Sequence, residues 1–335
     1  MSGELTASER GVPAVETLEL VKIYGSRRVV DGISMALPVG KVYGILGPNG
    51  AGKTTTINML TTLLKPDQGV AKVFGHDVRK DAGRIRQLIG LTGQYAALDE
   101  KLSGFENLYI FARLQGFTSW GAKKKAAALL ADFELSDSAD KQVEKYSGGM
   151  RRRLDLAASL ISTPPLLFLD EPTTGLDPRN RAKMWELIRA LVAGGTTVLL
   201  TTQYLDEADN LADRIAVIDQ GKIVAEGTAN ELKASIGSTS LHLRLADRRE
   251  QAQAARMVEK VLRSKSTLTE ESVISAPMKN PDQVTELLMA LRREGIVLSE
   301  ISVQKPTLDE VFLTLTGKGR GTDEKEAGHG QSDAA

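Results

Sequence analysis

The segment Gly47-Pro-Asn-Gly-Ala-Gly-Lys53-Thr54 constrains the fold more than any other part of this chain. It follows the short apolar run Val42 to Leu46 and opens a helical stretch at Thr55 to Leu64, the strand, loop and helix context that a phosphate-binding loop requires. Gly50 and Gly52 let the backbone turn its N–H groups inward around phosphate oxygens, and the following helix adds its positive N-terminal end. Gly47, Pro48, Asn49, Ala51 and Thr55 complete the expected cradle. Lys53 is placed to reach the outer phosphates. The Thr54 hydroxyl is placed to ligate Mg²⁺, a hard cation that prefers oxygen ligands and keeps several waters.

A second segment supports the first. Leu166-Leu-Phe-Leu-Asp170-Glu171 reads as a buried strand ending in two acids, and open α/β sheets carry their ligand-binding groups at the carboxyl ends of strands. Asp170 is the expected acid on the metal side. Glu171 is the candidate to polarise an attacking water, a general-base role that contributes ~10² to 10⁴ in rate. Standing alone, the two acids would read as solvated strand-end residues; the phosphate loop gives them a partner.

The rest of the chain fits an α/β architecture. Short apolar runs at Val42 to Leu46, Leu166 to Leu169, Thr197 to Thr201 and Ile215 to Ile218 alternate with longer amphipathic stretches, which predicts a largely parallel sheet. Between residues 95 and 162 the pattern turns helical, notably at Phe105 to Leu114 and Lys123 to Phe133, as in a helical insertion. Residues 14–236 form the expected nucleotide-binding domain, closed by the turn residues Gly237, Ser238 and Thr239. Residues 237–316 read as a small α+β domain, with strands at Ser240 to Leu245, Ser272 to Ala276 and Leu298 to Val303 separated by helices at Ala252 to Leu262 and Val284 to Arg293. Residues 1–13 read as a flexible lead. Residues 317–335, with almost no bulky apolar side chain, read as a disordered tail.

Composition removes several classes of function. Lys plus Arg and Asp plus Glu both number 43, so the chain lacks the positive balance of non-specific nucleic-acid binding, and no nucleic-acid partner is expected. There is no cysteine, which excludes disulfides, thiolate metal sites and thiol catalysis. His76, His242 and His329 lack close metal-ligand spacing. No apolar, uncharged run reaches the about eighteen residues of a membrane span.

Tyr146-Ser147-Gly148-Gly149-Met150, followed by Arg151-Arg-Arg-Leu-Asp-Leu-Ala, resembles the signature of ATP-binding cassette (ABC) proteins. Alone it would read as a Ser-Gly-Gly helix cap. Beside the phosphate loop, Ser147, Gly148 and Gly149 offer N–H groups and a hydroxyl at a helix start, a second phosphate clamp. The resemblance implies a P-loop NTPase ABC cassette with a RecA-like core and helical subdomain, ATP and Mg²⁺ as ligands, and further roles residue by residue. Gln94 senses the metal and water and faces a membrane partner. Asp177 in Gly175-Leu176-Asp177 contacts the opposing subunit. Tyr24 stacks on adenine, although without the alignment it reads equally as a tyrosine packed at a strand end.

Two departures narrow the resemblance. Leu and Gln normally flank Ser-Gly-Gly where this chain has Tyr146 and Met150, and the switch position after Thr201-Thr202 is Gln203 in place of histidine. Gln203 cannot titrate, so it is expected to position groups without shuttling a proton. Tyr146 to Arg153 and Thr201 to Asp209 are similar to the daunorubicin/doxorubicin-resistance-type ATP-binding subunits of ABC-2-type exporters. Leu308 to Leu313 is similar to a C-terminal motif of that branch and also reads as an amphipathic helix burying Val311 and Leu315 against its own domain. The resemblance implies an ATPase that drives export of an amphipathic drug or lipid, with an integral membrane permease of the ABC-2 type as partner. With one phosphate loop and one signature, a homodimer is expected, peripheral on the cytoplasmic face of the cell membrane. The competing readings are a nucleotide-gated regulatory subunit with little turnover and a soluble, non-transport ATPase of the superfamily.

Overall fold

In this computed structural model the described residues are 11–93, 97–236, 239–268, 273–278, 280, 282–304 and 306–317. The expected lead over residues 1–10, the loop residues Gly237 and Ser238, and the tail beyond residue 317 lie outside them. The chain divides into two compact units, Met1–Ala229 and Asn230–Ala335.

The first unit begins with β1 (Val15–Tyr24) and β2 (Arg27–Leu37), followed by β3 (Val42–Leu46), α1 (Lys53–Leu60), β4 (Gln68–Val73), β5 (His76–Asp77), α2 (Ala82–Leu88) and β6 (Ile89–Thr92). Three helices come next: α3 (Gly104–Leu114), α4 (Ser119–Asp132) and α5 (Gly148–Ser159). The sheet then resumes through β7 (Leu166–Asp170), α6 (Pro178–Ala193), β8 (Thr197–Thr202), α7 (Leu205–Leu211), β9 (Arg214–Asp219) and β10 (Lys222–Gly227). Strands β9, β3, β8, β7 and β6 run parallel in that spatial order, with β10 antiparallel outside β9. Strands β2, β1, β4 and β5 form a separate antiparallel sheet.

The apolar runs that announce the parallel strands are continuous because each strand is buried on both faces. Their residues divide with period two. Leu166 and Phe168 of β7, Leu199 of β8, and Tyr43 and Ile45 of β3 join one core with Leu20 and Ile33 of the antiparallel sheet and Met59 of α1. Leu167, Leu169, Val198, Leu200 and Val42 join the other, with Leu108, Ala126, Leu154 and Ile188 from the helices. One strand therefore fixes both the nucleotide-side core and the helical insertion.

Side-chain caps set where the inserted helices begin. Ser103 and Glu106 form a reciprocal capping box on α3, and Thr118 and Ser147 accept bonds from Gly121 N–H and Met150 N–H on α4 and α5. Two boundaries differ from the sequence pattern, which ends the first helix at Leu64 and reads a strand over Leu88 to Thr92. Helix α1 ends at Leu60, short of Leu64, because the Thr61 hydroxyl bonds back to the Ile57 carbonyl and Thr62 turns left-handed at φ 66°. Leu88 closes α2, so β6 starts only at Ile89.

Helix α8 (Ala229–Ile236) begins at the division between units. The second unit then runs β11 (Ser240–Leu245), α9 (Gln251–Leu262), β12 (Thr267–Leu268), β13 (Val273–Pro277), α10 (Asp282–Arg293), β14 (Leu298–Gln304) and α11 (Leu308–Gly317). Its antiparallel order β12-β13-β11-β14 is that of a ferredoxin-like split βαβ. Leu241, Leu243 and Leu245 alternate toward Ala254, Val258, Leu287 and Leu291 of the two long helices. In α11, Val311 is buried and Leu315 half-buried while Leu313 is exposed, an amphipathic pattern.

Truncating Leu243 opens a cavity in the second core only, at a cost of about 2 to 5 kcal/mol. In differential scanning calorimetry, Leu243→Ala is expected to lower one unfolding transition by several degrees while leaving a second one in place; a single transition moving as a whole would show that the units unfold together.

Candidate functional site

Backbone bonds tie the phosphate-binding loop to its neighbours. Gly47 N–H donates to the Thr202 carbonyl at 3.2 Å, and Gly221 N–H donates to the Ala51 carbonyl at 3.0 Å. A Cβ at Gly47 would stand 2.4 Å from the Ile218 carbonyl oxygen. One at Gly52, whose φ is 105°, would stand 2.5 Å from the Val29 carbonyl oxygen. The loop is thus threaded between β2, β8 and the β9–β10 turn, and two of its glycines are required by space.

Lys53 is buried, and its ammonium donates to the Gly47 carbonyl at 2.8 Å and the Pro48 carbonyl at 3.2 Å. It also stands 3.3 Å from Glu171 Oε1. A cavity of about 300 Å³ is lined by Asn49, Gly50, Gly52, Lys53, Thr54, Thr55, Val29 and Glu171, so the loop and the strand-end acid share one space. Pro48 and Ala51 shape the loop behind it. Thr54 is exposed and lines the cavity.

Asp170 is buried at the end of β7 and accepts the Thr201 hydroxyl proton. Glu171 takes φ 50°, a left-handed backbone that costs a residue with a side chain of order 1 to 3 kcal/mol. Its N–H offsets part of this by donating to the Thr201 carbonyl at 3.1 Å and the Thr201 hydroxyl at 3.2 Å. Glu171 Oε2 accepts from the Thr174 hydroxyl at 3.2 Å and from the Gln203 amide at 3.5 Å, the latter a long, weak bond. Gln203 therefore sits beside Glu171.

Ser147, Gly148 and Gly149 lie at the first turn of α5 and do not line the phosphate cavity. Ser147 and Gly148 are exposed; Gly149 is pressed against α6, where a Cβ would stand 2.6 Å from Asn180 Cγ. Asp177 caps that same helix, accepting from the Asn180 N–H at 2.9 Å and the Asn180 amide at 2.6 Å, bonds that hold its carboxyl below the usual range. The signature turn and Asp177 are thus linked through Asn180. Tyr24 is half exposed at the end of β1 with the Lys22 ammonium 5.6 Å from its ring centre. That exposure contradicts the packed strand-end alternative, and the ring does not line the phosphate cavity. Gln94 lies outside the described residues.

Three buried charged residues escaped the sequence reading. Glu207 accepts from the Thr173 hydroxyl at 2.8 Å and the Trp185 indole at 3.3 Å, and burial raises its pKa. Arg152 and Asp155 lie one turn apart on the buried side of α5, with Arg152 Nη1 3.6 Å from Asp155 Oδ2. Their signal was positional: they share the helix face of Gly149 and Leu156, and the Arg151 to Arg153 run hid it.

The chain matches the ABC transporter family over residues 30–174 and the ATP-binding protein DrrA1-3-like C-terminal domain over residues 227–316. It is 54% identical to the daunorubicin/doxorubicin resistance ATP-binding protein DrrA of Streptomyces peucetius, covering 91% of this chain and 92% of that one. Identity to the doxorubicin resistance ATP-binding protein DrrA of Mycobacterium tuberculosis is 44%, over 88% and 91% of the two chains. Among solved structures, the ADP conformation of MJ1267, an ATP-binding cassette of an ABC transporter, aligns with a TM-score of 0.60 at 28% identity, covering 66% of this chain and 92% of that one.

Burial raises the Asp155 carboxyl from 3.8 to about 6, against the opposing pull of Arg152 and of the Ala97 N–H. The folded state therefore holds this proton more tightly than the unfolded state, and the group's contribution to stability falls as pH rises from about 4 to about 6. The melting temperature of Asp155→Asn minus that of the wild type is expected to climb across that window and level off above it; a difference independent of pH would assign Asp155 an ordinary pKa.

Proposed function

This chain belongs to the ABC transporter family and is the ATP-hydrolysing subunit of a drug exporter; from that premise we propose that two copies close head to tail around Mg-ATP to drive an ABC-2-type permease that exports an amphipathic, anthracycline-like drug or a lipid. The observation that carries the head-to-tail arrangement is the division of the anion-binding groups within one chain. Asn49, Gly50, Gly52 to Thr55 and Glu171 border a single cavity, whereas Ser147 to Gly149 stand outside it at a helix N-terminus, with Ser147 and Gly148 exposed. A second copy supplies the missing half of each clamp, and Asp177, joined to the signature turn through Asn180, lies at the meeting surface.

The residues suit a metal-assisted phosphoryl transfer. Among the described residues no group of three or more His, Cys, Asp or Glu could hold an ion by itself. The Thr54 hydroxyl and the Asp170 carboxylate would supply oxygen donors to Mg²⁺, a hard cation that favours such ligands. When bound, the cation neutralises charge on the phosphates. Lys53 exchanges Glu171 for a phosphate oxygen, freeing the Glu171 carboxylate to orient and deprotonate water. Gln203 positions that water or the outer phosphate through its amide and takes no proton. Tyr24, on the exposed end of β1, is assigned to adenine, and Gln94 to the metal and water.

An ABC ATP-binding subunit works with a separate membrane permease, and among the described residues no helix is long and apolar enough to cross a membrane. We assign the permease contact to a cavity of about 430 Å³ whose walls include Ile89 and Leu91 of β6, Phe111 of α3, Gln115 just after it, and Asp155. It lies along the edge strand that leads to Gln94. The chain is thereby held at the cytoplasmic face of the membrane, and closure of the pair becomes the two-state element that the permease reads.

Glu171→Gln is expected to bind ATP and dimerise but to lose at least ~10²-fold in Mg-ATP turnover, measured on the full chain with and without its permease. Near-wild-type turnover would remove Glu171 from this role. A wild type without turnover in either setting, gaining it through Gln203→His, would favour the nucleotide-gated regulatory reading instead.

A further inference from the structure

Arg152 is a buried cation for which phosphate binding and water activation give no use. It lies in the second turn of α5, behind the turn that displays Ser147 to Gly149. Its guanidinium is spent on main-chain carbonyls. Nε donates to Pro172 at 2.9 Å, Nη2 to Asp170 and Glu171 at 2.9 Å each, and Nη1 to Gly93 at 2.7 Å. Three of these carbonyls belong to consecutive residues where β7 leaves the sheet. The fourth belongs to the residue just before Gln94.

Asp155 extends the arrangement. One of its oxygens lies 3.6 Å from Arg152 Nη1, and the other accepts the Ala97 N–H at 3.2 Å. Gly93 and Ala97, the described residues on either side of 94–96, are therefore both tied to α5. Glu171 is the residue whose backbone most needs such a tie, since φ 50° persists only where the surroundings over-determine it.

We propose that Arg152 is a positioning residue that couples the signature helix to the water-activating turn: a displacement of α5, when its first turn meets nucleotide, moves the Glu171 backbone and Gly93, the residue before Gln94, with it. The geometry requires arginine. A planar guanidinium presents five N–H groups in a fixed fork, whereas lysine offers one point charge and glutamine two N–H groups. The alternative is that Arg152 only neutralises buried carbonyl dipoles, in which case its loss lowers stability and nothing else. The proposal rests on the assignment of Glu171 given above.

The experiment compares wild type, Arg152→Lys, Arg152→Gln and Glu171→Gln as full chains, at a temperature where each is folded. Steady-state ATPase and binding of trinitrophenyl-ATP are measured together. Arg152→Lys keeps the buried charge and covers the case in which Arg152→Gln fails to fold. The expected result is a kcat lower by about tenfold or more in the Arg152 variants, with KM and analogue binding within about twofold of wild type, because the phosphate loop is untouched while the reacting groups are misplaced. A folded Arg152 variant with kcat within about twofold of wild type would overturn the inference, as would a kcat loss matched by an equal loss of analogue binding. Glu171→Gln separates the two failures: if it is inactive while the Arg152 variants are active, only this inference falls, and if it is active the catalytic assignment falls first.

Discussion

Everything in the cassette is referred to one close approach of backbone to backbone. The loop after β3 passes so near the carbonyls of Val29 and Ile218 that neither Gly52 nor Gly47 has room for a Cβ. Main-chain bonds from Gly47 to Thr202 and from Gly221 to Ala51 hold it there. A loop fixed by its neighbours need not be ordered by its ligand, so binding energy is left for aligning phosphate instead of organising the site. The same packing buries the Lys53 stem and points its ammonium along the loop toward Glu171.

Strand β7 converts that fixed loop into a site. Its residues feed two cores on opposite faces, which leaves no freedom to slide or tilt. The strand then ends abruptly in Asp170 and Glu171, with Glu171 in a backbone conformation that a free chain avoids. Thr201 bonds both residues, through the Asp170 carboxylate and the Glu171 N–H, while Arg152 takes their carbonyls from the other side. Hydrogen bonds to β8 and to α5 thus hold one strained turn. The residues proposed to bind phosphate, to activate water and to meet a second subunit are in this way supported by a single strand end.

What could be read from the sequence followed the range of the interactions that decide it. The phosphate loop, the acidic strand end and the alternation of the second domain are local patterns, and Gly47 to Thr54, Asp170, Glu171 and the strand from Ser240 to Leu245 lie where those patterns put them. Leu64 failed as a helix end because the termination is made by the Thr61 hydroxyl and a left-handed Thr62, which no apolar spacing reports. The pairing of β1 with β4, which sets Val15 opposite Val73 and joins two hairpins into one antiparallel sheet, spans a separation to which a window of sequence is blind. Arg152 and Asp155 were lost for a different reason: in a run of three arginines a reader assumes solvent, and only the buried period of α5 distinguishes the middle one.

The departures from the usual signature have structural causes inside this chain. Tyr146 is buried, with its hydroxyl donating to the Ser138 carbonyl at 2.7 Å, so a phenol reaches from the signature into the helical insertion. That reach demands Gly104 at the start of α3, where a Cβ would stand 2.2 Å from the Tyr146 hydroxyl. Met150 packs against the core of the same insertion. The two flanking residues therefore point inward while Ser147 and Gly148 stay exposed, as the proposed phosphate clamp requires. Gln203 follows the same logic on the opposite side of the site. Its uncharged amide lies beside Glu171, which in the proposed mechanism leaves the proton chemistry to that carboxylate and gives the switch position a geometric part.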